Sequence, residues 1–231
     1  MFPISTTCTY GESSVKIFSV EGNIGSGKST LIKKLKSEMK YICNSDACEI
    51  VNYLPEPVNI WESIKDKDGK NIIEKFYADQ GKYAFSFQMM AYISRLHQLK
   101  EKINQGSSII ITERSIYTDR NVFAKMLYDN DLIEDVNYDI YLRWFDEFVK
   151  DIPMCKFIYV KTAPEKCDER VHKRNRKGET IPLDYLKRCD EYHNNWLDQY
   201  NDKLILDGNI EYIDNLPEEW KTKITDFIKR S

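Results

Sequence analysis

Residues 15–32 read VKIFSVEGNIGSGKSTLI. An alternating, β-rich run over 15–20 leads into Gly22-Asn23-Ile24-Gly25-Ser26-Gly27-Lys28-Ser29-Thr30, and Leu31, Ile32 and Leu35 follow at helical spacing. Strand, glycine-rich loop and helix are the context that the pattern G-x-x-x-x-G-K-[ST] requires. Glycines let consecutive backbone N–H groups turn inward around a phosphate, and the helix N-terminus adds partial positive charge. Residues 22–30 are therefore expected to cradle a nucleoside triphosphate. Lys28 is expected to reach the β- and γ-phosphates, and the Ser29 hydroxyl to hold Mg²⁺. A glycine-rich turn without a ligand is the plainer alternative, and the intact pattern with both flanks argues against it. The motif leaves the phosphoryl acceptor open.

The rest of the chain is consistent with an α/β enzyme. Its 231 residues suit one α/β domain, expected over 15–231 after a flexible lead-in at 1–14. With 42% hydrophobic residues a core can form, and a net charge of −3 gives no reason to expect general nucleic-acid or membrane binding. No apolar run reaches membrane-spanning length, and 1–14 has neither a signal-peptide core nor Arg-rich transit character. Cys8, Cys43, Cys48, Cys155, Cys167 and Cys189 form no C-x-x-C pair, so scattered reduced thiols in a cytoplasmic, reducing setting are expected.

Strands are predicted at 15–20, 49–54, 107–112 and 156–160, with a fifth from 203–206 or 211–213. Helices are predicted at 71–104 with a break at Gly81, and at 120–127, 138–150, 164–174, 183–199 and 217–229. Strands alternating with helices imply a five-stranded parallel sheet covered on both faces.

Ligands of such a sheet gather at the carboxyl ends of its strands. The second strand ends at Glu56, held between Pro55 and Pro57, and the third at Glu113-Arg114. Glu56 is a candidate general base, Glu113 a candidate partner of Mg²⁺, and Arg114 a candidate for fixing the acceptor oxygen. For Glu56 an ordinary turn glutamate, and for Arg114 a structural ion pair, are the competing readings. Arg170, Arg174 and Arg176 stand in a basic cluster with Lys173 and Lys177. On a P-loop chain, an Arg-rich lid over the transferring phosphoryl is the favoured reading over a solvated face. Gln88, among Tyr77, Phe87, Ala91 and Arg95, is suited to read a base edge while rings stack on its face.

Five blocks in order carry a resemblance: EGNIGSGKST at 21–30, EPVNIW at 56–61, FYADQGKYAFSFQMMAYISR at 76–95, ERSIYTDRNVFA at 113–124 and RVHKRNRKGETIPLDYL at 170–186. Together they resemble the deoxynucleoside kinases of the deoxycytidine/deoxyguanosine kinase type, over residues 15–213. The resemblance implies a P-loop kinase fold and transfer of a γ-phosphoryl from ATP or another NTP to a deoxynucleoside 5′-hydroxyl. It implies that Glu56 is the general base with Arg114 beside it, and that Gln88 reads the base. Tyr77 and Glu179 match the residues at the sugar 3′-hydroxyl, although the lid between Arg176 and Pro182 is one residue shorter than the usual pattern. Trp61, Phe87 and Phe123 match pocket walls, Phe76 is a further candidate beside them, and Arg170, Arg174 and Arg176 match lid arginines; for Phe76, Phe87 and Phe123 taken alone, core packing is the plainer reading. Residues 207–212, Glu211 and Tyr212 among them, fall where the family cradles the donor base. Ala91, Arg95 and Asp119 fall where the cytidine/purine branch, rather than the thymidine branch, pairs an arginine with an aspartate near the base. A homodimer is implied as well. Two rivals remain: a nucleoside-monophosphate kinase, and a nucleotide switch or nucleic-acid-binding module using the basic cluster.

Overall fold

The computed structural model describes residues 15–43, 48–176, 179–212 and 215–231. Six strands form one sheet in the order β2-β3-β4-β1-β5-β6. They are β1 (Lys16–Glu21), β2 (Tyr41–Cys43), β3 (Cys48–Leu54), β4 (Ile109–Glu113), β5 (Cys155–Lys161) and β6 (Lys203–Asp207). Five of them pair in parallel, as expected. The sixth, β2, is a correction: it pairs antiparallel with β3 at the sheet edge. Three residues with an exposed–buried–exposed pattern are too short for periodicity to reveal. That pairing sets Cys43 against Cys48, and the two form a disulfide. The expectation of uniformly free thiols is corrected accordingly, while Cys155, Cys167 and Cys189 are free and buried.

Period-two alternation sends each central strand to two cores. Phe18, Val20, Ile109, Ile111, Ile158 and Val160 pack on one face with Leu31 and Leu35 of α1 (Lys28–Glu38). Trp220, Ile224, Phe227 and Ile228 of the last helix, Glu218–Lys229, close that face. Ile17, Ile110, Phe157 and Tyr159 point to the opposite face, against Tyr92, Leu96, Tyr141, Phe145, Trp196 and Leu197.

The helices between are α2 (Val58–Ser63), α3 (Ile72–Ala78), α4 (Gln80–Asn104), α5 (Ile116–Thr118), α6 (Lys125–Asp129), α7 (Asp135–Val149), α8 (Pro164–Arg174) and α9 (Leu183–Leu197). The last helix is α10. The predicted break at Gly81 lies instead at Asp79, whose extended backbone ends α3 and whose carboxylate accepts from Lys82 N to cap α4. Between α5 and α6 the chain is π-helical over Asp119–Ala124, so the helical stretch predicted at 120–127 starts earlier and is wider-wound. The fifth parallel strand is the first of the two alternatives; Ile213 of the other lies outside the described residues, as do 1–14, Lys177 and Gly178.

Phe145 is fully buried, with ring centroids 5.3 Å from Tyr92 and 5.8 Å from Tyr117. Phe145→Ala should cost about 3–5 kcal/mol, because a ring-sized void cannot collapse among aromatic neighbours. Urea unfolding reads this, and a loss below about 1 kcal/mol would show that this face repacks.

β1 and β4 are neighbours, yet the helix after β1 packs on one face and the segment after β4 on the other. Their carboxyl ends therefore open a crevice, the usual ligand position in such a sheet.

Candidate active site

The loop after β1 is shaped by close packing. A Cβ on Gly22 would lie 2.6 Å from the Val160 carbonyl oxygen, and one on Gly25 2.5 Å from that of Cys167. Both residues have positive φ, so only glycine lets the loop lie this close to β5 and α8. Asn23 Nδ2 donates to Leu186 O at 2.8 Å, tying the loop to α9. Lys28 is 4% exposed, and its Nζ donates to Asn23 O at 2.6 Å. Burial and then the nearby Arg114 bring its ammonium down to about 7. The loop thus holds a poorly solvated cation that Glu113 and Glu56 favour at a distance but that makes no direct ion pair among the described residues. Ser29 Oγ donates to Glu113 Oε1 at 2.5 Å, which joins the loop to the end of β4.

Adjacent residues of a strand point to opposite faces, yet Glu113 and Arg114 line the same cavity. Arg114 achieves this with φ +61°, a left-handed conformation rare for a non-glycine residue, at a cost of about 1–3 kcal/mol. Its NH1 donates to Glu56 Oε1 at 2.9 Å, and its guanidinium lies 5.1 Å from the Phe123 ring centroid. Arg95, from α4, donates to the same Glu56 oxygen at 2.6 Å and to Glu113 O at 2.9 Å. Burial alone would raise the Glu56 carboxyl, but the Arg114 and Arg95 guanidiniums override it and hold it well below the usual carboxylate range. Arg95 Nε also lies 3.3 and 3.1 Å from the two Asp119 oxygens. Burial pushes the Asp119 carboxyl up to about 6, with Arg95 opposing.

An aromatic pocket adjoins these charges. Phe76 and Phe87 stack at 4.6 Å, and Trp61 meets Phe87 edge-on at 5.6 Å. Trp61 Nε1 donates to Ser94 Oγ at 2.9 Å, which fixes the indole. Gln88 is 2% exposed, and its carbonyl oxygen has no partner among the described residues. A buried amide oxygen left unpaired, in a cavity wall, is one that a ligand can satisfy.

At the other end, Arg170 NH1 donates to Gly208 O at 2.9 Å and Ser26 O at 3.3 Å, clasping the donor side of the loop. Arg174 NH2 pairs with Glu179 Oε2 at 2.5 Å, and Arg176 lies 4.0 Å from the other Glu179 oxygen. Glu211 pairs with Lys166 at 2.7 Å, and the Tyr212 ring meets Trp220 edge-on at 5.3 Å.

One cavity of about 670 Å³ collects nearly all the residues singled out in the sequence. Lys28, Ser29, Glu56, Gln88, Glu113, Arg114, Asp119 and Glu179 are among its lining, as are the three arginines of the basic cluster. Gly22, Asn23 and Ala91 stand outside the lining: Gly22 packs against the Val160 carbonyl, Asn23 is tied to Leu186, and Ala91 is buried in the aromatic cluster with Trp61 and Ile73. The cavity also includes Gly208 and Ile210 of the stretch 207–212, and Ile73, Lys166, Glu169, Tyr185 and Trp220, which were not singled out.

A family model described as deoxynucleoside kinase matches residues 18–230. The chain is 34% identical to a probable deoxycytidine kinase of Fowlpox virus over 233 residues, covering 96% of this chain and 91% of the relative. It is 31% identical to the deoxycytidine kinase of Bos taurus, covering 94% of this chain and 89% of that one. With the mitochondrial deoxyguanosine kinase of Xenopus laevis it shares 30% identity, over 89% of this chain and 80% of the relative. The P-loop at the end of β1, the crevice beside β4 and these matches agree: the chain belongs to the deoxynucleoside kinase family and is an ATP-dependent deoxynucleoside kinase.

Proposed function

We propose that the enzyme transfers the γ-phosphoryl of ATP, or of another nucleoside triphosphate, to the 5′-hydroxyl of deoxycytidine and purine deoxynucleosides ahead of thymidine. The observation that supports this most is the convergence of Glu56, Gln88 and Lys28 on one cavity. Glu56 is the general base in this reading. Both guanidinium contacts fall on its Oε1, and among the described residues no protein group donates to Oε2. Oε2 is therefore the oxygen available to take the hydroxyl proton as the alcohol attacks. Lys28, Arg170, Arg174 and Arg176 balance the charge that spreads over the phosphoryl oxygens. The Arg174–Glu179 pair sets Glu179 beside the wall formed by Tyr77, where a sugar hydroxyl would lie.

Ser29 and Glu113 offer hard oxygen donors in one hydrogen-bonded pair on the cavity wall, which suits Mg²⁺. These residues would hold the ion, which supplies charge neutralisation to the β- and γ-phosphates when bound.

Base choice rests on Gln88 and the Arg95–Asp119 pair. The pair offers polar groups to an amino-bearing base and crowds the place of a thymine methyl. A negative Glu56 at the acceptor end disfavours a monophosphate. A phosphate-transfer panel with the four deoxynucleosides and their monophosphates tests both points. Deoxycytidine or a purine deoxynucleoside should be best, with thymidine at least about tenfold lower in kcat/KM. Thymidine as the best substrate would overturn the preference, and a monophosphate as the best acceptor would overturn the reaction.

A homodimer is part of the proposal. Ile93 of α4 and Val136, Ile140 and Trp144 of α7 are exposed apolar residues on helices that pack together. Among the described residues no helix is long and apolar enough to cross a membrane. We place the enzyme in the cytoplasm, where the exposed Cys43–Cys48 bridge is open to reduction.

A further inference from the structure

Glu21 is the last residue of β1 and is fully buried. Its carboxylate accepts from Ser19 Oγ at 2.6 Å, Ser115 N at 3.0 Å, Ser115 Oγ at 2.7 Å and Thr118 Oγ1. Three of these four donors belong to the turn that opens α5, directly after Arg114. The flanking residues of β1 grip the same place. Val20 O accepts from Arg114 N at 3.0 Å, and Gly22 O from Arg114 NH2 at 3.4 Å. Three consecutive residues, Val20 to Gly22, therefore hold the Arg114 backbone, the residue after it and the end of its side chain.

Arg114 needs such a hold. Its φ of +61° is unfavourable for an arginine, and in that conformation its NH1 meets Glu56 Oε1 at 2.9 Å. A fully buried carboxylate is costly unless its hydrogen bonds are strong, and charge-assisted bonds to four donors supply that strength. We propose that Glu21 is a positioning residue for phosphoryl transfer: it locks the turn after Arg114 so that the guanidinium stays on Glu56. This rests on reading Glu56 as the general base. Without the lock, Arg114 relaxes toward ordinary φ and its guanidinium leaves Glu56.

Glu21→Gln keeps the shape and removes the charge. It should lower kcat by about 10–100-fold while leaving KM for the nucleoside within about threefold. In an Arg114→Ala background the same change should cost less than about twofold, because its effect runs through Arg114. The loss of kcat with KM nearly unchanged, and its disappearance in the Arg114→Ala background, separate positioning from a general loss of structure. Unchanged kcat, or equal losses in both backgrounds, overturns the proposal. Should Glu21→Gln fail to fold, Thr118→Val removes a single donor and reads the same coupling at smaller amplitude. Glu56→Gln assayed in parallel keeps the two ideas apart. Full activity there sinks the base assignment alone, while Glu21–Arg114 coupling still reports the positioning role.

Discussion

Lys28→Ala is expected to reduce kcat at least about 10³-fold, a loss of some 4 kcal/mol of transition-state stabilisation. The expectation follows from how the resting site treats this ammonium. It is almost wholly buried, its nearest contacts are a backbone carbonyl and the Ser26 hydroxyl at 3.4 Å, and Arg114 stands near it as a like charge. The fold thus carries a desolvated cation that, among the described residues, has no carboxylate in direct contact. A triphosphate supplies a direct anionic contact, and the attraction grows as charge accumulates on the oxygens of the moving phosphoryl. Alanine removes the attraction and leaves the glycine loop's N–H groups in place, so nucleotide affinity should fall much less than turnover. Steady-state rates combined with calorimetric binding of a non-hydrolysable ATP analogue separate the two. A variant within tenfold of the parent rate would mean that the loop and the arginines do the work without Lys28.

The second large effect concerns Glu56. Glu56→Gln should lower kcat by about 10²–10⁴-fold, the usual span for removing a general base, with nucleoside binding nearly unchanged. The amide keeps the size of the carboxylate and still offers an oxygen to Arg95 and Arg114, so the pocket has little reason to collapse. What it lacks is an oxygen able to accept a proton. The two guanidiniums hold the Glu56 carboxyl well below its ordinary value, so the native group is already ionised through the neutral range. Its linked stability is present above the unfolded carboxyl value near pH 4.5 and is lost only as the pH falls through the depressed folded value. The parent enzyme should accordingly show no acid limb from Glu56 between about pH 5 and 8. Single-turnover rates for the glutamine variant, measured with saturating donor, decide the matter. Retention of the parent rate would remove Glu56 from proton transfer.

Much of this site is legible in the sequence. Residues 22–30 were readable because phosphate recognition by a backbone loop is a local problem, and its solution is written in neighbouring residues. Glu56 and Arg114 were readable because strand ends are where such sheets bind ligands, and because the family pattern marks both. Long-range matters were not. Glu21 directly precedes the loop motif, but its role depends on Ser115 and Thr118, which are 94 and 97 residues away. The Cys43–Cys48 bridge depends on a hairpin register that no C-x-x-C spacing announces. Arg95 was expected near Asp119, yet its simultaneous hold on Glu56 and on the Glu113 carbonyl needs α4 and β4 at their actual separation. The break between α3 and α4 was placed at Gly81 on propensity, whereas the Asp79 side chain made the better cap.

The wide turn at Asp119–Ala124 has an evolutionary consequence. A π turn is an α-helix with one residue added, so deleting a single codon there restores ordinary winding. Such a deletion would swing Asp119 relative to Phe123 by about 100°, one residue's rotation, while leaving the flanking helices free to keep their packing. On the proposed reading, in which Asp119 and Phe123 line the nucleoside pocket, lineages of this enzyme have a route to new nucleobase preferences through length change, and a survey of point substitutions alone would overlook it.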